Sequence, residues 1–258
     1  MSRAVDRITA ILSALATQSQ PSTLSDIAEA TGLDKSTLYR FLQACERNQL
    51  VRRDPDGPRY TLGFRIVEWG GRAIDTIDVA RLAVPVLDRL SDETHETVAL
   101  HVREGRMRTA IVVRNSPLPT LVAGRLGRTA PLAVGAAGKA ILGFLDDREA
   151  HMILNEQPDI DDGLREHIRS ELDAIRTSGY AKSEREITSH AWSIAAPVFD
   201  STGAPVASIG ILAPVHRHST AIESDFVARV LSAAEELTRS YGGVLRRPHD
   251  AMVADSND

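Results

Sequence analysis

One stretch limits the folds open to this chain more than any other: Asp26-Ile-Ala-Glu-Ala-Thr-Gly-Leu-Asp-Lys-Ser-Thr-Leu-Tyr-Arg-Phe-Leu42. It reads as two short helices around Gly32, a residue that reaches φ > 0 without steric cost. Ile27 lies inside the first helix beside Ala28, which is small enough to let a second helix pack closely. Leu33, Leu38, Phe41 and Leu42 form one apolar stripe with the i, i+3, i+4 spacing of a buried face, and Cys45 continues it. Lys35, Ser36, Tyr39, Arg40 and Gln43 occupy the opposite face, and all can donate hydrogen bonds. A helix that is apolar behind and donor-rich in front suits a DNA major groove. Two helices around a glycine turn also occur in proteins that never touch DNA, so the flanks must decide.

Both flanks point the same way. Thr23-Leu-Ser-Asp26 matches a capping-box start, placing the first helix near Leu24 with a phosphate-attracting terminus at Thr23. Val5, Ile8, Ile11, Leu12 and Leu15 repeat with helical period, so a supporting helix is predicted over residues 4–17. Leu50 to Leu62 reads as two strands around Pro-Asp-Gly-Pro. Helix, helix, turn, helix and hairpin make a winged helix-turn-helix, predicted for residues 1–63. The predicted DNA-contacting set is Thr23, Lys35, Ser36, Thr37, Tyr39 and Arg40, with Arg52, Arg53 and Arg59 on the wing for phosphates or the minor groove.

Charge refines that reading. Residues 1–63 carry eight Lys/Arg against seven Asp/Glu, whereas the remainder has a net charge of −6. Six of those eight basic residues fall between Lys35 and Arg59. Such modest positive charge implies that one copy binds DNA weakly and that affinity comes from pairing copies. The length, 258 residues, suits two domains. No apolar run approaches 18 residues and no charged-then-apolar leader is present, so neither a membrane span nor secretion is expected. A single cysteine, Cys45, excludes an internal disulfide, fits a cytoplasmic location, and belongs to the apolar stripe rather than to reactive chemistry.

Residues 64–78 form a connector, read as a linker helix. It leads toward a helix starting near Asp78, with Val79, Leu82, Val86, Leu87 and Leu90 on one face and a kink or break at Pro85. The connector is too apolar to stand alone; it either seats on a second copy or packs on its own domain. Residues 79–245 alternate strands and helices. Strands are expected at 97–103, 107–113, 180–187, 193–199 and 205–213, and helices at 135–145, 163–178 and 220–241. This pattern gives an α+β domain around one mostly antiparallel sheet. The tail, 246–258, is polar and aperiodic, and is expected to be disordered.

These residues resemble the IclR family of bacterial transcriptional regulators. The resemblance rests on Ile27-Ala28, Thr31-Gly32-Leu33, Ser36-Thr37-x-x-Arg40 and Arg59-Tyr60-x-Leu62-Gly63. Further along it rests on Glu96-Thr97-Val98, Pro131-Leu132, Gly138-Lys139-Ala140, Gly179-Tyr180-Ala181, Glu186 and Ile194-Ala195-Ala196-Pro197-Val198. It implies a GAF-like effector domain after the linker, and dimers or tetramers on a palindromic double-stranded DNA operator that respond to a small organic acid. For the effector it implies backbone groups at Gly135 and Ala136 plus side chains at Ser183, Ser193, Gly210 and Leu212. Two of those positions are Gly and Leu where relatives are polar, and His190 and Trp192 stand nearby. The expected effector is therefore a carboxylate with an apolar body, an aromatic acid first, lying against Leu212, Trp192 and Leu121. Leu212 and Trp192 read equally well as plain core. A small aliphatic oxo-acid, or a GAF-like domain used only for oligomerisation, stays open.

No enzyme reading competes. Gly135-Ala-Ala-Gly-Lys139 lacks a phosphate loop's first glycine and has Ala140 where Ser or Thr is needed. No Gly-x-Ser-x-Gly elbow exists. His216 and His218 are the only close histidine pair, in an expected loop without an acidic or cysteine neighbour, so neither a metal nor a cofactor is expected.

Overall fold

The computed structural model describes residues 3–18, 20–55, 57–118, 123–157 and 161–246. They form two compact units, Met1–Thr76 and Ile77–Asp258. The predicted tail, apart from Arg246, and Leu121 lie outside the described residues.

The first unit runs α1 (Arg3–Thr17), β1 (Ser22–Thr23), α2 (Leu24–Thr31), α3 (Lys35–Arg47), β2 (Val51–Arg53), β3 (Arg59–Leu62) and α4 (Phe64–Asp75). Its core is the predicted stripe: Leu38, Leu42 and Cys45 of α3 meet Ile11 and Leu15 of α1, Ile27 of α2, Val51 and Tyr60. Gly32 ends α2 at φ +66°. The wing is a three-stranded sheet in the order β1-β3-β2, because Ser22 and Thr23 pair with Tyr60 and Arg59. A two-residue strand leaves no periodicity to read.

The second unit runs α5 (Asp78–Thr94), β4 (Thr97–Glu104), β5 (Met107–Arg114), β6 (Thr129–Pro131), α6 (Ala136–Leu142), α7 (Asp147–Asn155), α8 (Asp162–Ser178), β7 (Ala181–Glu184), β8 (Ala191–Phe199), β9 (Pro205–Pro214) and α9 (Thr220–Ser240). The six strands form one sheet in the order β6-β5-β4-β9-β8-β7, each pair antiparallel. Helices α5 and α9 pack together on one face, and α6 lies against β8 and β9.

Several expectations need correction. Helix α5 does not break at Pro85: it runs from Asp78 to Thr94, and the proline and Arg81, whose carbonyl loses its i+4 donor, are both exposed. The connector helix, α4, ends at Asp75, short of the expected boundary at residue 78. The helix expected to reach Leu145 stops at Leu142. The strand expected to reach Ile187 stops at Glu184, because Arg185 takes φ +59° and turns the chain. Helix α7 went unpredicted although Asp146-x-x-Glu149 announces it: Asp146 accepts a hydrogen bond from the Glu149 N–H at 2.9 Å.

Candidate functional site

The first unit presents α3 as an exposed polar face. Lys35, Ser36, Tyr39, Arg40 and Gln43 are exposed and Thr37 is half-buried. Asp34 caps the helix, its Oδ1 accepting from the Thr37 N–H (2.9 Å) and the Ser36 hydroxyl (2.7 Å). Ser36 therefore spends its proton locally and shows a groove its acceptor lone pairs, not the donor expected of it. These bonds hold the Asp34 carboxyl well below its ordinary value of 3.8. A depressed folded-state pKa stabilises the fold above the unfolded value, and the gain is lost as pH falls through the folded one. Asp34→Ala should thus lower the melting temperature at neutral pH. Melts taken across an acid series should show that deficit shrinking below the ordinary carboxylate range.

The capping box at the start of α2 is closed. Thr23 donates its N–H to Asp26 Oδ2 (2.8 Å) and accepts from the Asp26 N–H (3.3 Å). The Asp26 carboxylate places negative charge at the terminus where a phosphate was expected, so Thr23 serves the helix before any ligand. Arg52 is also partly committed: its Nε donates to Thr61 Oγ1 at 2.9 Å and its guanidinium lies 5.1 Å from the centre of the Phe64 ring. Arg53 and Arg59 stand exposed on the paired strands.

The second unit holds a cavity on the sheet face that carries α6. Strand alternation brings Ala99 and His101 of β4, Arg108 and Ala110 of β5, Gly210 and Leu212 of β9, Ser193 and Ala195 of β8 and Ser183 of β7 to it. Ala136 and Ala137 of α6, Glu186, Ile187 and Arg128 close the other sides. It encloses about 90 Å³. Gly135 adopts φ +77°, and a Cβ there would stand 2.5 Å from Ile187 Cδ1. Gly210 is required for another reason: a Cβ would meet the Ile194 carbonyl oxygen at 2.7 Å. The missing side chain therefore lets β8 approach at a position that also lines the cavity.

Two family models cover this architecture. "IclR helix-turn-helix domain" matches residues 4–55, and "Bacterial transcriptional regulator IclR C-terminal" matches residues 71–239. The chain belongs to the IclR family. It is a DNA-binding transcriptional regulator with a C-terminal effector domain, and not an enzyme. The chain is 28% identical over 225 residues to the HTH-type transcriptional regulator KipR of Bacillus subtilis, covering 85% of this chain and 90% of that one. An IclR regulator structure from Alicyclobacillus acidocaldarius aligns with TM-score 0.78 at 26% identity, over 94% of this chain and 100% of that one. An IclR homolog from Microbacterium hydrocarbonoxydans complexed with 4-hydroxybenzoate aligns with TM-score 0.76 at 20% identity, over 92% and 98%.

In this IclR-family chain the cavity gathers most of the expected effector residues: Ala136, Ser183, Ser193, Gly210 and Leu212 line it. Trp192 does not. Strand alternation sends it to the opposite face, where its ring stacks on Phe226 at 5.5 Å and meets His218 edge-on at 4.6 Å. It is core under α9, only 3% exposed. His190 is exposed and is not among the residues lining the cavity. His218 bonds Glu223 at 2.7 Å, and no metal-ligand cluster occurs among the described residues. The Gly135 N–H, assigned to the effector from the sequence, already donates to Glu186 Oε2 at 2.8 Å. Glu186 Oε1 accepts from Lys139 Nζ (2.7 Å), which also donates to Glu171 (2.8 Å) and is 2% exposed.

Sequence reasoning missed His101, Arg108 and Arg128. The available signal was a charged residue at an inward position: Arg108 and Ala110 alternate onto the same face of β5. Arg108 is 4% exposed, and its Nη2 donates to the Val134 carbonyl at 3.1 Å. Burial, then the Arg128 charge, lowers its pKa to about 10. Burial, Arg108 and Arg128 push His101 down to about 3, so its imidazole is neutral at physiological pH.

Proposed function

We propose that this chain binds a palindromic operator as a dimer or a higher assembly, in the cytoplasm, and releases or engages it in response to a small organic acid. The observation that carries the sensing half is the cavity's make-up: an alanine-rich wall with Leu212 and Ile187, a few hydroxyls, and cationic side chains with an incomplete set of counter-charges. Effector pockets of this kind hold an apolar body and fix it with a small number of polar groups. No described helix is long and apolar enough to cross a membrane.

An aromatic acid is the leading effector. Leu212, Ile187, Ala99 and Ala110 suit a ring, while Ser183 and Ser193 suit its polar substituents. The fold is shared with a homolog that was crystallised with 4-hydroxybenzoate. The enclosed volume favours a second reading, a small aliphatic oxo-acid. About 90 Å³ is less than the roughly 150 Å³ that holds benzene in an engineered protein cavity. Calorimetric titration of the full chain with benzoate, 4-hydroxybenzoate, glyoxylate and pyruvate separates the two. Tighter binding of an aromatic acid is expected; glyoxylate outcompeting every aromatic acid would reject it.

The α4 helix supplies the dimer seam in this proposal. Phe64, Val67 and Trp69 are 71%, 70% and 53% exposed on a twelve-residue helix. Monomeric proteins rarely leave such a cluster uncovered. Two winged units joined there would set their α3 helices about one DNA turn apart, near 34 Å, or a multiple of it. An effector then acts through its differential affinity for two dimer geometries.

A further inference from the structure

We infer that Arg108 is the ion-pair partner of the effector's carboxylate. The inference rests on the acid-sensing reading above and names the residue that enforces it. At the start of α6 the Gly135 N–H is already taken by Glu186, which shares its other oxygen with Lys139.

Arg108 is in the reverse situation. It lines the cavity and is 4% exposed, its Nε–H has no acceptor, and among the described residues no carboxylate pairs with it. A buried guanidinium without a counter-ion is costly to the fold. Glu186, whose charge acts on it, is spent on Lys139 and Gly135. Arg128 adds a second positive charge to the same wall. His101 lines the cavity beside them, with Nδ1 buried and unpartnered. A monocarboxylate seated there receives charge-assisted bonds from a planar fork that matches its geometry. Its body then extends across β9 toward Ser193 and Ser183, which lie on β8 and β7, two and three strands from His101.

An arginine kept for a ligand makes a prediction that a structural arginine would not. Arg108→Met keeps the stem and removes the charge. Its effector-free melting temperature should equal or exceed that of the parent, because an uncompensated buried charge is gone. Its affinity for the tightest-binding acid among benzoate, 4-hydroxybenzoate, glyoxylate and pyruvate should fall about tenfold to a hundredfold. The parent should also prefer that acid to its uncharged amide, and Arg108→Met should lose the preference. Calorimetry and thermal shift on the full chain read both quantities. Unchanged acid affinity in Arg108→Met overturns the assignment and leaves acid sensing intact. Failure of the parent to bind any of the four acids overturns both. If Arg108→Met does not fold, Arg108→Lys decides by the acid-over-amide ratio, since lysine keeps the charge and loses the fork. A reduced ratio supports the assignment and an unchanged one rejects it.

Discussion

Replacing Phe64 and Val67 by glutamate should convert the protein to monomers and weaken operator binding by about 10²- to 10⁴-fold, the range lost when a second binding event ceases to be intramolecular. The two side chains are exposed on α4, so the substitutions remove little packing from their own unit. They are one turn apart on one helix face, and glutamates there would face their own images across a two-fold seam. Sedimentation velocity would give the mass, and fluorescence anisotropy on an operator and on a single half-site would give affinity. The half-site affinity should change far less, because α3 is untouched and the wing loses only the contact between Arg52 and the Phe64 ring. A variant that stays dimeric rules out α4 as the seam. One that becomes monomeric yet holds the full operator as tightly as the parent rules out avidity as the source of affinity.

Arg40→Ala should reduce discrimination between operator and random DNA by about 1–3 kcal/mol, the worth of one bidentate guanine contact. Arg40 is exposed on α3, beside Tyr39 and one turn beyond Ser36 and Thr37. The apolar face of the same helix is anchored by Leu38, Leu42 and Cys45, so the guanidinium projects from a fixed base. Losing a base contact removes sequence preference, whereas losing a phosphate contact weakens all sequences alike and lowers the salt slope. Arg53→Ala and Arg59→Ala should behave in the second way. Competition binding at two salt concentrations separates the classes. Full operator preference in Arg40→Ala would show that other residues read the bases.

The first unit was legible because its signals are local. Leu33 to Cys45 is a 3.6-residue stripe, Thr23 and Asp26 form a capping pair, and Gly32 marks the turn. Strand β1 escaped because two residues carry no period. The second unit's strands were legible as elements, but the cavity depends on the order β5-β4-β9-β8-β7, which joins residues more than a hundred positions apart. Trp192 shows the cost of that gap. Adjacent to Ser193 in sequence, it was grouped with the cavity, yet a pleated strand sends neighbours to opposite faces, and Trp192 lies on α9. Counting alternation from Ser193 would have excluded it. The need for glycine at position 210 was hidden for a related reason, since the approach of β8 across the sheet is a tertiary fact. Arg108 was passed over because an arginine in a strand reads as solvent-facing until its partner Ala110 fixes the face.

The two rims of the six-stranded sheet bear on how copies of this protein meet. One rim is β6, three residues long and closed by Pro131, which has no N–H to offer a neighbour. The other is β7, four residues long, with Lys182 and Glu184 pointing outward and Lys182 tied to Glu223 of α9 at 3.1 Å. Both rims are poor templates for an incoming strand, which guards the fold against edge-to-edge polymerisation. That favours association through helix surfaces such as the proposed α4 seam, where contacts between copies stay reversible and an acid held against the sheet could alter them.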